Sequence, residues 1–283
     1  MTWESGTQMA VGYLVLALVL ALTLNAQARW LRVGGTLIAA MGLFMMVYSI
    51  ILADLDGTFA AIAPDAPLIH RAAPVILNVQ AVIASVAILF LLWSAWMQAR
   101  RPVTTRLPLR NNPAQFGAAS RGFHWVIGVM MLVLVPLGMF MAILPPDYLG
   151  YSDFVTAHQS LGLSVLVLVA GRLAWLLVSP PPAPLSPAGT LEHRLARLVH
   201  VGLYLALLTF PVTGYLIDQG ASVDFYGWAV PRPDWPATDA AARLIHAWVL
   251  PLLFYATLAA HLAAVLKRHF AERDTAAVRR MLR

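Results

Sequence analysis

The sequence predicts an all-α polytopic membrane protein of about seven transmembrane helices, three N-terminal and then a bundle of four, and three observations carry that expectation. Of the 283 residues, 60% are hydrophobic and 11% charged, whereas a soluble domain is roughly a quarter charged; the mean hydropathy is +0.74. Apolar runs of about twenty residues recur, each long enough to cross a hydrocarbon core ~30 Å thick. The runs do not alternate apolar with polar residues, which excludes a transmembrane β-barrel, and the composition excludes a soluble globular enzyme.

Bounded by charge or by Pro and Gly, the runs are Ala10–Ala28, Val33–Ala53, Ala73–Met97, Trp125–Leu144, Leu161–Val178, Val201–Ile217 and Ala247–Leu266. The first has only Glu4 before it, no basic segment and no clear small-residue cleavage motif, so it reads as a retained helix rather than a signal peptide. Three spans make up an N-terminal region, 1–100, whose embedded positions carry no His. Residues 98–120 are polar, basic and rich in Pro, Thr and Asn, and 101–120 within them form a linker to the four-span region 121–270. Between the fifth and sixth spans, Ser179–Pro187 (SPPPAPLSP) cannot be helical, because proline lacks the donor and clashes with the preceding turn. Pro211 is expected to kink the sixth span. A long loop, Asp218–Ala242, holds Trp228 and Trp235, and a basic tail occupies 271–283.

The net charge of +6 and pI near 10.1 follow from orientation. With seven spans and the N-terminus outside, 15 basic residues fall on the cytoplasmic side and three (Arg71, Arg232, Arg243) outside, with Arg172 inside a span. That is the positive-inside pattern; it places the C-terminus in the cytoplasm and makes nucleic acid an unsuitable partner. The chain has no cysteine, which removes disulfides, thiolate metal ligands, iron–sulfur clusters and covalently attached haem.

Eight histidines remain, and their depth is informative. His124 opens the fourth span, three residues after Arg121, and lies near the cytoplasmic side. His158, five residues after Asp153, opens the fifth span on the outer side. In the seventh span His246 is outer and His261 inner, fifteen residues and about 22 Å apart, and within ~60° of one helical face. Depth therefore pairs His124 with His261 and His158 with His246. Two neutral imidazoles from facing helices are what axial ligation of a b-type haem requires. For each histidine taken singly, an interfacial or hydrogen-bonded side chain is the plainer reading. His70, His193 and His269, each beside an Arg, read as solvated. His200, at the inner start of the sixth span, has three readings: contact to a haem propionate, contact to a quinone, or ligand in place of one of the four. Arg172, fourteen residues after His158, either pairs with a propionate or snorkels to the interface. Gly122, Gly128, Gly138, Gly162, Gly171, Gly202 and Gly214 let helices or a flat macrocycle approach closely.

The segments Arg121-Gly-Phe-His-Trp125, Ala157-His-Gln-Ser-Leu-Gly162, Gly171-Arg-Leu-Ala-Trp175, His200-Val-Gly-Leu-Tyr204 with Pro211 and Gly214, Leu244-Ile-His-Ala247, His261 and Lys267-Arg-His-Phe270 together resemble the bacterial cytochrome b561 family over about Ala119–Phe270. The resemblance implies a four-helix bundle with two haem b, ligated by His124 with His261 and by His158 with His246. It implies a bacterial inner-membrane cytochrome passing electrons between a quinone such as ubiquinone and an outer-face donor or acceptor, either superoxide or a periplasmic redox protein. Membrane lipid is a partner, and the plan leaves room for a homodimer. One departure stands out: the last helix spaces its histidines by fifteen residues where the family pattern usually has fourteen. The extra step turns a ligand by ~100° and calls for a local bulge or a shifted register. Arg197 occupies a position where some relatives carry another His. In the N-terminal region, Tyr48, Ser49, Asn78 and Gln80 are the main embedded polar groups, and Asn78 and Gln80 either hydrogen-bond between helices or face a quinone. Two other functions fit the sequence: a non-catalytic haem-b anchor of a larger redox complex, with the extra helices as docking surface, and a non-redox membrane transporter.

Overall fold

The computed structural model describes residues 5–24, 28, 30–38, 40–41, 44, 48, 68–100, 107–144, 151–217 and 220–282. Among them, six helical stretches are long and apolar enough to cross a membrane. Helix α1 is Ser5–Leu24, α2 is Leu68–Arg100, α3 is Ala118–Ile143, α4 is Tyr151–Val178 and α5 is Leu191–Leu216. A hairpin follows, β1 (Ser222–Phe225) with β2 (Trp228–Pro231), then α6 (Pro236–Leu244), α7 (Leu250–Leu266) and α8 (Ala276–Leu282). Two π-helical turns, Ile245–Val249 and Lys267–Ala271, flank α7, so 236–271 is one continuous rod. The expected second span, Val33–Ala53, lies largely outside the described residues, as does the side chain of His70.

The helices outrun the apolar runs, most clearly in α4 and α5, which begin ten residues earlier than expected. An apolar run marks hydrocarbon depth, whereas a helix continues into the interface, where water serves polar side chains. The start of α5 is set by Thr190, whose Oγ1 accepts from the His193 backbone N–H at 3.3 Å, a side-chain N-cap. The linker end is stitched down: Asn111 Nδ2 donates to the carbonyls of Ser179 and Pro180, and its Oδ1 accepts from Gly117 N–H just before α3.

Helix α1 packs against α3 and α4, α2 against α3, α3 against α4, α4 against α5, and α5 against α7. Gly6 allows the first of these contacts: its N–H donates to Asp153 Oδ1 at 3.0 Å, and a side chain there would strike the Asp153 backbone and Thr156. Asp153 sits in the first turn of α4, where a carboxylate also complements the helix dipole. The core joins Ala10, Ala17 and Leu20 of α1 to Met130 and Leu134 of α3, Leu161 and Val165 of α4, and Phe254 of α7. Outward apolar side chains such as Leu22, Val82, Val167 and Leu205 are exposed, as lipid-facing positions are. Histidine rings of the rod 236–271 meet rings of α3 and α4: His261 with His124, and His246 with His158.

The long loop after α5 is built rather than loose. Tyr226 (φ 54°) and Gly227 (φ 86°) form the two-residue turn, closed by the Phe225–Trp228 pair, a geometry that favours Asn or Gly over Tyr. The tyrosine is retained by contacts to α4. Its N–H donates to Ser160 Oγ at 2.9 Å, its hydroxyl lies 2.9 Å from Ser164 Oγ, and Asp224 N–H donates to Gln159 Oε1 at 2.8 Å. Burial raises the Tyr226 phenol above its ordinary pKa, so it stays neutral and can donate. Removing the hydroxyl (Tyr226→Phe) leaves the buried Ser164 Oγ with only its bond to the Ser160 carbonyl and is expected to cost about 1 kcal/mol, read as a lower unfolding temperature in detergent.

Candidate functional site

Two histidine pairs lie at opposite ends of the four-helix bundle. At the end covered by the hairpin, His158 of α4 and His246 have ring centroids 6.0 Å apart. Each ring rests on a glycine of a neighbouring helix. A Cβ on Gly138 of α3 would come within 3.0 Å of His158 Cε1, and one on Gly214 of α5 within 2.9 Å of His246 Cε1. His246 Nδ1 is 3.0 Å from the Phe210 carbonyl and 3.1 Å from Thr213 Oγ1. A carbonyl only accepts, so Nδ1 carries the proton and Nε2 keeps its lone pair. His158 Nδ1 is buried and has no hydrogen-bond partner among the described residues.

His246 lies inside the π-helical turn Ile245–Val249. Such a turn closes i→i+5 bonds and so takes in one residue more than an α-turn. Fifteen residues with one π-turn thus bring a side chain round to about the angle that fourteen reach in a regular α-helix. The bulge expected from the spacing is present, and it sits at the histidine whose angle it corrects.

At the other, Arg-rich end, the rings of His124 (α3) and His261 (α7) are 6.3 Å apart, and His200 (α5) stands 5.6 Å from His261, edge to face. His200 Nδ1 donates to the Ala196 carbonyl at 2.7 Å, a bond within its own helix. Arg172 is turned toward α5: its Nε donates to Tyr204 Oη at 2.9 Å, and the guanidinium lies 5.4 Å from that ring's centre. The C-terminal segment closes this end. Trp125 Nε1 donates to the Met281 carbonyl at 3.3 Å, Arg121 Nη2 to the Arg279 carbonyl at 3.2 Å, and Arg280 Nη1 to the Ala183 carbonyl at 2.7 Å. Residues 276–282 are therefore a docked helix whose Val278 joins the core. The surrounding Lys267–Glu192 and Lys267–Glu272 pairs are exposed and add little.

These pairs fit a b-type haem. At 6.3 and 6.0 Å between ring centres, the two imidazoles of each pair would leave room between them for one metal ion, as judged by zinc–histidine bonds of about 2.0–2.1 Å. Among the described residues no cluster of three or more His, Asp or Glu forms a metal site; a haem iron would need from the protein only the two imidazoles that each pair supplies. The glycines that clear room for the rings and the buried, unbonded His158 Nδ1 belong to the same arrangement.

Several site residues carry no sign of their role in the sequence. Thr213, Phe210 and Tyr204 act through hydrogen bonds from α5, and only their position between glycine and histidine motifs hinted at it. Ser160 and Ser164, four apart in an apolar span, were the available signal for the hairpin's anchor. His269, expected to be solvated, instead packs edge-on against Trp93 of α2 at 4.7 Å, with its Nδ1 buried, because the π-turn Lys267–Ala271 turns it toward the N-terminal helices. Asn78 is exposed, and Gln80 is fully buried with no partner for its amide among the described residues.

The family description "Prokaryotic cytochrome b561" matches residues 115–283. Among curated proteins the chain is 30% identical over 181 residues to "Cytochrome b561 homolog 2" of Escherichia coli K12, covering 61% of this chain and 93% of that protein. It is 24% identical over 163 residues to "Probable superoxide oxidase CybB" of Yersinia pestis, covering 56% and 92%. With "Cytochrome b561 homolog 1" of Escherichia coli K12 it shares 26% over 165 residues, covering 56% and 93%.

Proposed function

Because the chain belongs to the prokaryotic cytochrome b561 family, we propose that it holds two haem b groups and carries electrons between an outer-face donor and a quinone of the inner membrane. Its class, a multi-pass membrane cytochrome of electron transfer, follows from the family and the six apolar helices. The observation that carries the finer reading is the pair of imidazole pairs, 6.0 and 6.3 Å between rings, at opposite ends of one helix.

His158 and His246 hold one group, and His124 and His261 the other. Bound there, haem supplies reversible one-electron chemistry. The protein's own part is to fix the ring angles, exclude water and set the local charge. The hairpin and its Ser160–Ser164–Tyr226 bonds cover one end, and α8 covers the other. Arg172, held by Tyr204, supplies a cation beside the Arg-rich pair for a propionate carboxylate. His200, whose Nδ1 donates to the Ala196 carbonyl, keeps its other ring nitrogen for a hydrogen bond from a quinol hydroxyl. The relative described as "Probable superoxide oxidase CybB" suggests superoxide as the donor at the hairpin end; two superoxide ions, two protons and one quinone then give one quinol and two O2. Pyridine haemochrome assay of the purified full chain, expressed with excess haem, is expected to return two haem b per chain, and a value near zero overturns the reading.

A further inference from the structure

We propose that Thr213, together with the Phe210 carbonyl, makes His246 the most electron-rich of the four ring ligands, so that the hairpin-end site is the lower-potential one and electrons run downhill from it to the Arg-rich end. The inference rests on the two-haem reading above and adds an order and a direction to it.

The four rings differ in what they touch. His246 Nδ1–H is fixed by the Phe210 carbonyl at 3.0 Å. Thr213 Oγ1 lies 3.1 Å from the same nitrogen, and its own hydrogen is directed to the Thr209 carbonyl at 2.7 Å, so its lone pair meets the ring N–H. Donation from one imidazole nitrogen raises the basicity of the other and locks the ring angle. A more basic axial ligand favours the oxidised, more positive iron, which lowers the potential of that site. Among the described residues neither ring nitrogen of His124 or His261 has a hydrogen-bond partner, their ring contacts being to each other, Trp125 and His200.

Charge acts in the same direction. Arg172, held by Tyr204, lies within electrostatic reach of both His124 and His261. A fixed cation in low dielectric favours the reduced, less positive state, and so raises the potential of that end. The two effects separate the sites in one sense. Transfer of one electron from the hairpin-end site to the Arg-rich site oxidises the first and reduces the second, with no proton required by the balance.

Thr213 is thus a positioning residue, and the test reads potentials rather than turnover. Haem content is counted first in the full chain; a count other than two fails the underlying reading and leaves this one without a subject. Anaerobic spectroelectrochemical titration of the two-haem protein is then expected to give two transitions. His124→Ala, which retains only the hairpin-end site, is expected to keep the lower one. Thr213→Val, which matches the side chain's shape without its oxygen, is expected to move the lower transition upward, leave the upper unmoved and keep two haems. Thr213→Ser is expected to restore the wild-type value. A hairpin-end site that titrates as the upper transition, or a Thr213→Val protein with both transitions unchanged, overturns the proposal. If Thr213→Val fails to retain haem, the order of transitions in wild type and His124→Ala still decides it.

Discussion

His158→Ala or His246→Ala is expected to halve the haem content, from two per chain to one, while His124→Ala or His261→Ala removes the other group. The expectation rests on geometry. Each pair spans 6.0 or 6.3 Å between ring centres, so an alanine at either side leaves a site with one axial ligand and a ring-sized void. The two histidines of the last rod stand about 22 Å apart along it, too far for loss of one site to empty the other directly. His200→Ala is expected to keep two haems, since its ring is tied to Ala196 and sits edge-on to His261. Haem-to-protein ratios with pyridine haemochrome spectra decide each assignment. An unchanged ratio in any of the four variants removes that residue from the ligand set, and a loss with His200→Ala transfers the Arg-rich site to His200.

Gly214→Val is expected to be nearly as damaging as loss of His246, although it removes no ligand. A Cβ at 214 would stand 2.9 Å from His246 Cε1 and 3.3 Å from Nδ1, a separation inside van der Waals contact. The helix cannot yield, because α5 and α7 pack closely, with Gly202 set against Thr257. The ring must swing away, losing its bonds to Phe210 and Thr213, and the hairpin-end haem is lost while the other remains. Gly138→Val is expected to act likewise through His158, 3.0 Å from its Cβ. Gly202→Ala provides the contrast: its methyl would meet Thr257 Cγ2 at 2.7 Å, away from any ring, so it lowers the unfolding temperature without selecting one haem. Two haems retained at the wild-type ratio in Gly214→Val would show that the glycine is ordinary helix packing.

How far the site was legible depended on the kind of information each residue needed. The transmembrane helices were readable because burial of a backbone in hydrocarbon demands continuous apolar helix, and runs such as Trp125–Leu144 could hardly be anything else. Their ends were not, since Tyr151–Leu161 and Leu191–Val201 are polar enough for loop yet helical in the interface. The fifteen-residue spacing announced a bulge without locating it. The hairpin was invisible because its turn residue, Tyr226, is a poor turn former held by Ser160 and Ser164 across more than sixty residues.

By itself the sequence determined class, orientation signal and depth. Run length is matched to membrane thickness, Arg and Lys are counted on either side, and a helix rises a constant 1.5 Å per residue, so the heights of His124, His158, His246 and His261 follow by arithmetic. Tertiary structure alone decided the angle and surroundings of each ring. A π-turn changes helical phase by about one residue, and the carbonyl of Phe210, the hydroxyls of Thr213 and Tyr204 and the bare faces of Gly138 and Gly214 all come from neighbouring helices. Contacts of that kind depend on how distant segments pack, which no local pattern along the chain encodes.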